Sequence, residues 1–193
     1  MAGSMEQEVG SKGCDPPAFY SMLPTSGVRG VYVLKTLVLG MGNTILCDDG
    51  VGIYVVQEAA KQCRRDDVDF ADASVGGMRL LDVIVGYDRI ILVDAIKTAD
   101  GKPGDVRHLN PGDLPTLHSG STHDLTLIGA LALGRGMGMK LPDDEDFDII
   151  AIEVEEVWTF GEECTLAVAE AIPRAVEMVL DKLSNTGDRA SSV

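Results

Sequence analysis

Apolar residues along the chain form short continuous runs that alternate with segments of helical spacing. A short run rich in β-branched residues and closed by glycine is typical of a buried strand. The run Val33–Leu39, which meets Gly40, has this form, as does Arg89–Val93. The same pattern predicts further strands at Val68–Phe70, Asp105–Leu109 and Phe147–Ile152.

Between these runs, apolar residues recur every three to four positions, which predicts amphipathic helices. In the segment Gly50–Cys63, for example, Val51, Val55 and Ala59 are spaced by four. The other predicted helices are Met78–Val85, His123–Leu133 and Thr165–Leu183.

The resulting order, β-α-β-α-β-β-α-β-α, predicts a single three-layer α/β domain with helices on both faces of the sheet. We expect a twisted, mostly parallel sheet of five strands. The strand at 105–109 should be antiparallel, because its connection to the preceding strand is too short for a parallel crossover. Residues 32–184 form this predicted domain. Residues 1–31, rich in Gly, Ser and Pro, are predicted to be a disordered or loosely packed extension, and residues 185–193 a polar tail.

Composition narrows the classes of function. The 193 residues suit one domain, and the net charge of −15 argues against binding to nucleic acid. No run approaches the roughly 18 apolar residues of a membrane span. The four cysteines form no CxxC pair, and no secretory signal is visible, so we predict a protein of the reducing cytoplasm.

Three segments carry polar side chains where a ligand would bind in such a fold, outside the carboxyl ends of the strands. Asp48 and Asp49 lie in the glycine-rich loop after the first strand, Asp94 follows Arg89–Val93, and His123 opens a helix. The side chains of Asp49, Asp94 and His123 offer two carboxylates and one imidazole, donors that suit nickel, zinc or iron. Three protein ligands leave a position open for water or substrate.

Each of these polar residues also suits an ordinary structural role. Asp48 or Asp49 could simply cap the helix near Gly50, Asp94 could end a strand, and His123 could be a partly buried structural imidazole. His108 and His118 have no partner pattern and are treated as structural or exposed.

The glycine-rich loop is also compatible in part with two other kinds of site. Cys47 with His123 could form a nucleophilic pair, although neighbouring carboxylates disfavour a thiolate. The pair Gly40 and Gly42 suggests dinucleotide binding, but position 45 is Ile where that motif has a third glycine. No GKS or GKT sequence is present for a phosphate-binding loop.

Three motifs stand out along the chain. The first is Gly40-x-Gly42-Asn43-x-x-x-x-Asp48-Asp49-Gly50-x-Gly52. The others are Ile91-Leu92-Val93-Asp94-Ala95 and Thr122-His123-Asp124-Leu125. Together they resemble the nickel-iron hydrogenase maturation proteases, over about Leu34 to Leu183.

This resemblance implies an endopeptidase, classified as aspartic in type, that removes a C-terminal extension from a hydrogenase large-subunit precursor after nickel insertion. It assigns the metal-contacting and catalytic roles to Asp49, Asp94 and His123. Many relatives carry Glu at the first of these positions. The nickel is then presented by the substrate and is not held permanently. The resemblance also gives a supporting role in the loop to the following residues: Gly40, Gly42, Asn43, Asp48 and Gly50.

The resemblance leaves the chemistry open. Nickel could polarise the scissile carbonyl or activate water, or Asp49 or Asp94 could act as general base. Two alternatives to a protease are a non-catalytic, metal-dependent chaperone or recognition module for the same large subunit, and a nucleotide-binding protein.

Overall fold

The computed structural model describes residues 33–74, 78–116 and 122–185, without the side chains of residues 78, 114–116 and 122–126. Five strands are present in these ranges: β1 Thr36–Met41, β2 Val68–Ala73, β3 Arg89–Ile96, β4 Val106–Leu109 and β5 Phe147–Glu153. The helices are α1 Val51–Gln62, α2 Met78–Ile84, α3 Thr122–Gly136 and α4 Leu166–Ser184. A 3-10 turn, Cys47–Gly50, leads directly into α1.

The strands form one sheet in the order β2-β1-β3-β5-β4. Neighbours are parallel except β4, which pairs antiparallel with β5. The short connection before β4 therefore predicted its direction correctly, and the predicted five-stranded α/β domain is confirmed.

Alternate residues of the central strands pack against helices on opposite faces. Val38, Val93 and Ile150 share one buried cluster with the apolar faces of α1 and α4. Their neighbours Leu39, Leu92 and Ile149 belong to the cluster built on α2 and α3. Successive side chains of a strand point to opposite faces, so strands buried on both sides appear as continuous apolar runs.

Two predicted boundaries were wrong in ways that matter for the site. The first strand lies at Thr36–Met41 and not at Val33–Leu39. Strand β3 continues three residues past Val93 to Ile96, and Asp94 pairs with Ala151 of β5. Asp94 is thus a strand residue, because the partner strand β5 continues beside it. The interpretation that Asp94 merely ends a strand is wrong.

Some predictions fall outside the described ranges. These are the N-terminal extension 1–31 and, apart from Asn185, the polar tail 185–193. Both domain limits therefore stay predictions. Within the parts of the chain that the structure describes, no helix has the length and apolar character needed to cross a membrane.

Candidate active site

The loop between β1 and α1 is shaped by a glycine and an asparagine. Gly42 has φ +135°, and a Cβ there would overlap the carbonyl oxygen of Asp49. Asn43 accepts a hydrogen bond from the Ile45 amide at its side-chain Oδ1, 3.2 Å, and its carbonyl accepts the Leu46 amide at 3.0 Å. These contacts fold the chain back on itself and place the 3-10 turn against the end of β1.

The first turn of α1 packs closely against the carboxyl ends of β1 and β3. A Cβ on Gly52 would overlap the carbonyl oxygens of Met41 and Val93. A Cβ on Gly40 would come within 2.6 Å of the Gly52 carbonyl oxygen. The missing side chains therefore allow the helix to sit directly on two neighbouring strands.

This packing brings the segments that carry Asp49 and Asp94 to the same edge of the sheet. Asp49 belongs to the 3-10 turn, which contacts β3, and Asp94 lies one residue beyond Val93 on β3. Both side chains are half-buried. Asp94 Oδ1 accepts the amide of Ala95 at 2.9 Å. Two carboxyl groups thus lie on adjacent elements at the carboxyl edge.

His123 lies on α3, a helix of 15 residues. The loop after α3 reaches the amino edge of the sheet, where the Gly86 amide donates to the Lys140 carbonyl at 3.0 Å. Helix α3 therefore begins toward the opposite, carboxyl edge. The side chain of His123 is outside the described part, so its convergence with Asp49 and Asp94 stays a prediction, as does its alternative pairing with Cys47.

Asp48 is fully buried, with 0% exposure, and its carboxylate joins three segments. Oδ2 accepts the amides of Glu155 and Glu156 at 3.2 and 3.0 Å. The Thr165 amide donates to Oδ1 at 2.6 Å, and the Thr165 hydroxyl donates to Oδ2 at 3.1 Å. Neither the 3-10 turn nor α1 has a side-chain capping bond. The interpretation of Asp48 as the cap of its own helix is wrong, since its carboxylate accepts hydrogen bonds from the β5–α4 connection.

Cys47 is held in a strained backbone conformation, with φ +46°. Its thiol donates to the Glu163 carbonyl at 3.2 Å, and the Cys164 thiol lies 3.8 Å from the Cys47 carbonyl. Burial, with the nearby Asp48 carboxylate, raises the pKa of Cys164 to about 11. Cys164 therefore remains a thiol at neutral pH.

The sequence pattern did not reveal the β5–α4 connection as part of this site. Tyr54 of α1 also fixes it, because its hydroxyl donates to the Glu162 carbonyl at 2.7 Å and lies 3.3 Å from the Thr44 carbonyl. The available signal was an unusual one: Trp158 and Phe160 stand in a polar, acid-rich segment with no strand or helix pattern.

A separate charged cluster occupies the amino edge, away from this site. Asp148 of β5 accepts hydrogen bonds from Arg89 at 2.7 Å and Lys182 at 2.8 Å, and lies 2.6 Å from His108 Nε2. Burial by itself raises the pKa of Asp148, but the hydrogen bonds from Lys182, Arg89 and His108 lower it overall. His108 is therefore a structural residue with a defined partner, whereas His118 lies outside the described ranges.

No group of three or more His, Cys, Asp or Glu side chains that could hold a metal is found among the described residues. The proposed trio includes His123, whose side chain is not among them, so its ligand role stays a prediction. Carboxylate and imidazole donors are nevertheless of the kind that nickel accepts.

Comparison with known proteins gives consistent similarities. A family model described as hydrogenase maturation protease matches residues 53–182. The Escherichia coli hydrogenase 2 maturation protease is 32% identical over 108 residues, covering 54% of this chain and 66% of that protein.

Two solved structures are similar to this protein over most of its chain and most of their own. The hydrogenase maturating endopeptidase HybD from Escherichia coli has a TM-score of 0.69 and 30% identity, covering 80% of this chain and 94% of that one. The [NiFe] hydrogenase maturation protease HybD from Thermococcus kodakarensis has a TM-score of 0.59 and 27% identity, covering 78% and 99%.

Proposed function

Since the chain belongs to the hydrogenase maturation protease family, we propose that it is the endopeptidase that removes the C-terminal extension of a nickel-iron hydrogenase large-subunit precursor. The observation that carries this proposal is the similarity to the Escherichia coli endopeptidase over 80% of this chain and 94% of that one. We place the reaction in the cytoplasm, in keeping with the free thiols of Cys47, Cys63 and Cys164.

The proposed reaction is a peptide-bond hydrolysis at the carboxyl edge of the sheet. The oxygen of water adds to the scissile carbonyl carbon, the C–N bond breaks, and a proton passes to the leaving amine. Asp49 and Asp94 are two half-buried carboxylates at this edge, and the proposed general base is one of them. Replacing each separately by Asn removes a proton acceptor with little change in shape. The variant that loses the base should lose most of its activity. The less affected variant should keep the fall in rate at low pH, which identifies the carboxylate that it retains as the base.

Nickel enters this proposal as part of the substrate. In this proposal the carboxylates of Asp49 and Asp94 and the imidazole of His123 would form an incomplete shell for a borderline transition metal, which would exchange readily from such ligands. Cysteine thiolates of the large subunit would hold the metal more firmly, so the protease meets it only at docking. Nickel held by the precursor can then license recognition and polarise the carbonyl.

The test compares nickel-loaded and nickel-free precursor with one preparation of the protease, using the mass of the large subunit as readout. We expect shortening of the nickel-loaded precursor alone. Equal cleavage of both forms would refute the licensing step and leave the protease assignment intact. A folded protease that shortens neither form would refute the proposed function.

His123→Ala should stop cleavage and weaken binding of the nickel-loaded precursor while leaving the thermal unfolding transition unchanged. The reason is the loss of the only nitrogen donor in the proposed trio. Retained cleavage would remove His123 from the site. Asp66→Ala is a suitable control, because Asp66 is exposed and lies in the connection between α1 and β2.

A further inference from the structure

Three large apolar side chains stand exposed on two neighbouring loops. Trp158, the single tryptophan of the chain, is 82% exposed, Phe160 is 81% exposed, and Ile45 is 49% exposed. Soluble proteins rarely leave grouped large apolar side chains in water unless the surface binds something. We call these three residues the aromatic patch.

The patch is joined directly to the candidate active site by main-chain hydrogen bonds. The Gly161 amide donates to the Ile45 carbonyl at 3.1 Å, and the Cys47 amide donates to the Gly161 carbonyl at 2.7 Å. The Asp48 amide donates to the Glu156 carbonyl at 3.0 Å. The loop that carries Trp158 and Phe160 is thus hydrogen-bonded to the residues immediately before Asp49.

A local turn holds Trp158 in place while its side chain faces water. Glu156 Oε1 accepts the amide of Trp158 at 2.8 Å and that of Thr159 at 3.0 Å. These two hydrogen bonds lower the pKa of the Glu156 carboxyl, so it stays ionised and keeps the turn at neutral pH. Because the main chain at Trp158 is already fixed, binding through its side chain costs less backbone entropy, which favours a role as an anchor residue.

Exposed acids surround the patch on its own loop. Glu155, Glu162 and Glu163 are all exposed, and the whole chain carries a net charge of −15. A second copy of the chain would bring the same negative charge to the contact, which opposes self-association. The complementary partner instead has apolar residues beside Lys or Arg, and a cation can also lie on the face of Trp158.

We propose that Ile45, Trp158 and Phe160 form the docking surface for the precursor, and that they bind a segment of it in which apolar residues stand next to Lys or Arg. This inference rests on the proposed function, since the patch adjoins the site assigned to cleavage. It makes the β5–α4 connection a specificity element that selects the substrate before the scissile bond reaches the carboxylates.

The first test compares Trp158→Ala/Phe160→Ala with the wild type in cleavage of nickel-loaded precursor. Loss of two anchors should lower kcat/KM by roughly 30-fold, with most of the change in KM. The matched control is Met137→Ala, which removes another exposed apolar side chain, 67% exposed, just beyond the end of α3. Thermal unfolding of all three proteins checks that the fold is kept.

The outcomes separate the two proposals. If the wild type does not cleave the precursor, the proposed function fails. If it cleaves and the double variant has an unchanged KM, the docking proposal alone fails. An equal loss in Met137→Ala would also overturn it. The salt dependence of KM tests the charge of the partner segment. A wild-type KM that rises with salt, and rises less in Glu162→Gln/Glu163→Gln, supports a basic segment. A salt-independent KM overturns the proposal that this segment contains Lys or Arg.

A second test does not depend on cleavage. The protease alone is labelled with 5-fluorotryptophan, and its single ¹⁹F resonance from Trp158 is followed as unlabelled precursor is added. A shift or broadening that saturates supports contact with the precursor. An unchanged resonance at a precursor concentration where binding is shown independently overturns the proposal. A resonance that moves with protease concentration alone assigns the patch to self-association, which also overturns it.

Discussion

The buried Asp48 should be needed for stability and for activity, although it is not proposed to touch the substrate. Its carboxylate accepts the amides of Glu155, Glu156 and Thr165 and the hydroxyl of Thr165, all from the β5–α4 connection. Asp48→Ala removes the acceptor and leaves these donors facing a small cavity. Asp48→Asn keeps the shape but replaces one oxygen by an NH₂ group, which cannot accept.

The expected loss in the free energy of unfolding follows from the number of hydrogen bonds that each substitution removes. A buried donor left unpaired costs about 1–3 kcal/mol, so Asp48→Ala should lower the free energy of unfolding by about 3–5 kcal/mol after partial hydration of the cavity. In Asp48→Asn, the remaining oxygen can keep the bonds made by Oδ2, but its NH₂ then faces the Thr165 amide. That variant should lose about 1–3 kcal/mol. Domains of this kind have about 5–15 kcal/mol in total, so both changes are measurable.

Activity should fall in the same order. Asp48 anchors the connection beside the turn that carries Asp49, and a displacement near 1 Å in such a site can cost about 100-fold in rate. We expect kcat/KM to fall at least tenfold in Asp48→Asn and further in Asp48→Ala, measured at a temperature where each variant is folded.

Urea unfolding followed by circular dichroism measures the stability of Asp48→Ala, Asp48→Asn and Asp66→Ala. The exposed Asp66 controls for loss of one negative charge from an acidic protein. The reasoning would be refuted if Asp48→Ala unfolded within about 0.5 kcal/mol of the control, a difference expected of ordinary surface substitutions. Equal losses in the Ala and Asn variants would refute the hydrogen-bond count in particular.

Two other predictions concern residues outside the proposed chemistry. Cys47→Ala should still cleave the precursor, because the Cys47 thiol donates to the Glu163 carbonyl at 3.2 Å and thus supports the loop; abolished cleavage in a folded variant would revive a cysteine nucleophile. Asp148→Asn should lower the free energy of unfolding by about 3 kcal/mol at pH 7, since it removes the buried negative charge that Arg89 and Lys182 contact. The folded-state pKa of Asp148 is lowered, so this contribution is present above about pH 3.9 and is lost as the pH falls through the folded value. Urea unfolding of the wild type and of Asp148→Asn should therefore show a smaller difference in the free energy of unfolding at pH 3 than at pH 7. An equal difference at the two pH values would contradict the charge argument.

The sheet could be predicted largely because its signals are local. Continuous apolar runs mark strands covered on both faces, and the length of a connection decides the direction of β4. The end of β3 could not be predicted in this way, because an aspartate disfavours a strand by propensity. Asp94 is nevertheless in β3, since pairing with β5 continues through Asp94–Ala151 to Ile96–Glu153.

Asp48 shows the same limit within the site. An acid just before a helix predicts a local cap, because capping partners lie two or three residues away. The groups that Asp48 binds are 107 to 117 residues further along the chain. No periodicity in either segment reveals this contact. The sequence therefore marked the loop as important but could not separate the supporting acid from the acid proposed for chemistry.

The two adjacent aspartates of the turn differ in a way that supports their separate assignments. A carboxylate has about four lone-pair positions, and the contacts to Asp48 number four. Three of these contacts are on Oδ2 and one is on Oδ1, and the side chain is 0% exposed, so Asp48 is enclosed by the β5–α4 connection and is not open to a substrate. Consecutive residues of a 3-10 turn point about 120° apart, so the turn that buries Asp48 must direct Asp49 elsewhere. Asp49 is half-buried at the carboxyl edge that also carries Asp94. Of the two acids, Asp49 is therefore the one that we assign to the substrate, and Asp48 the one that holds the turn.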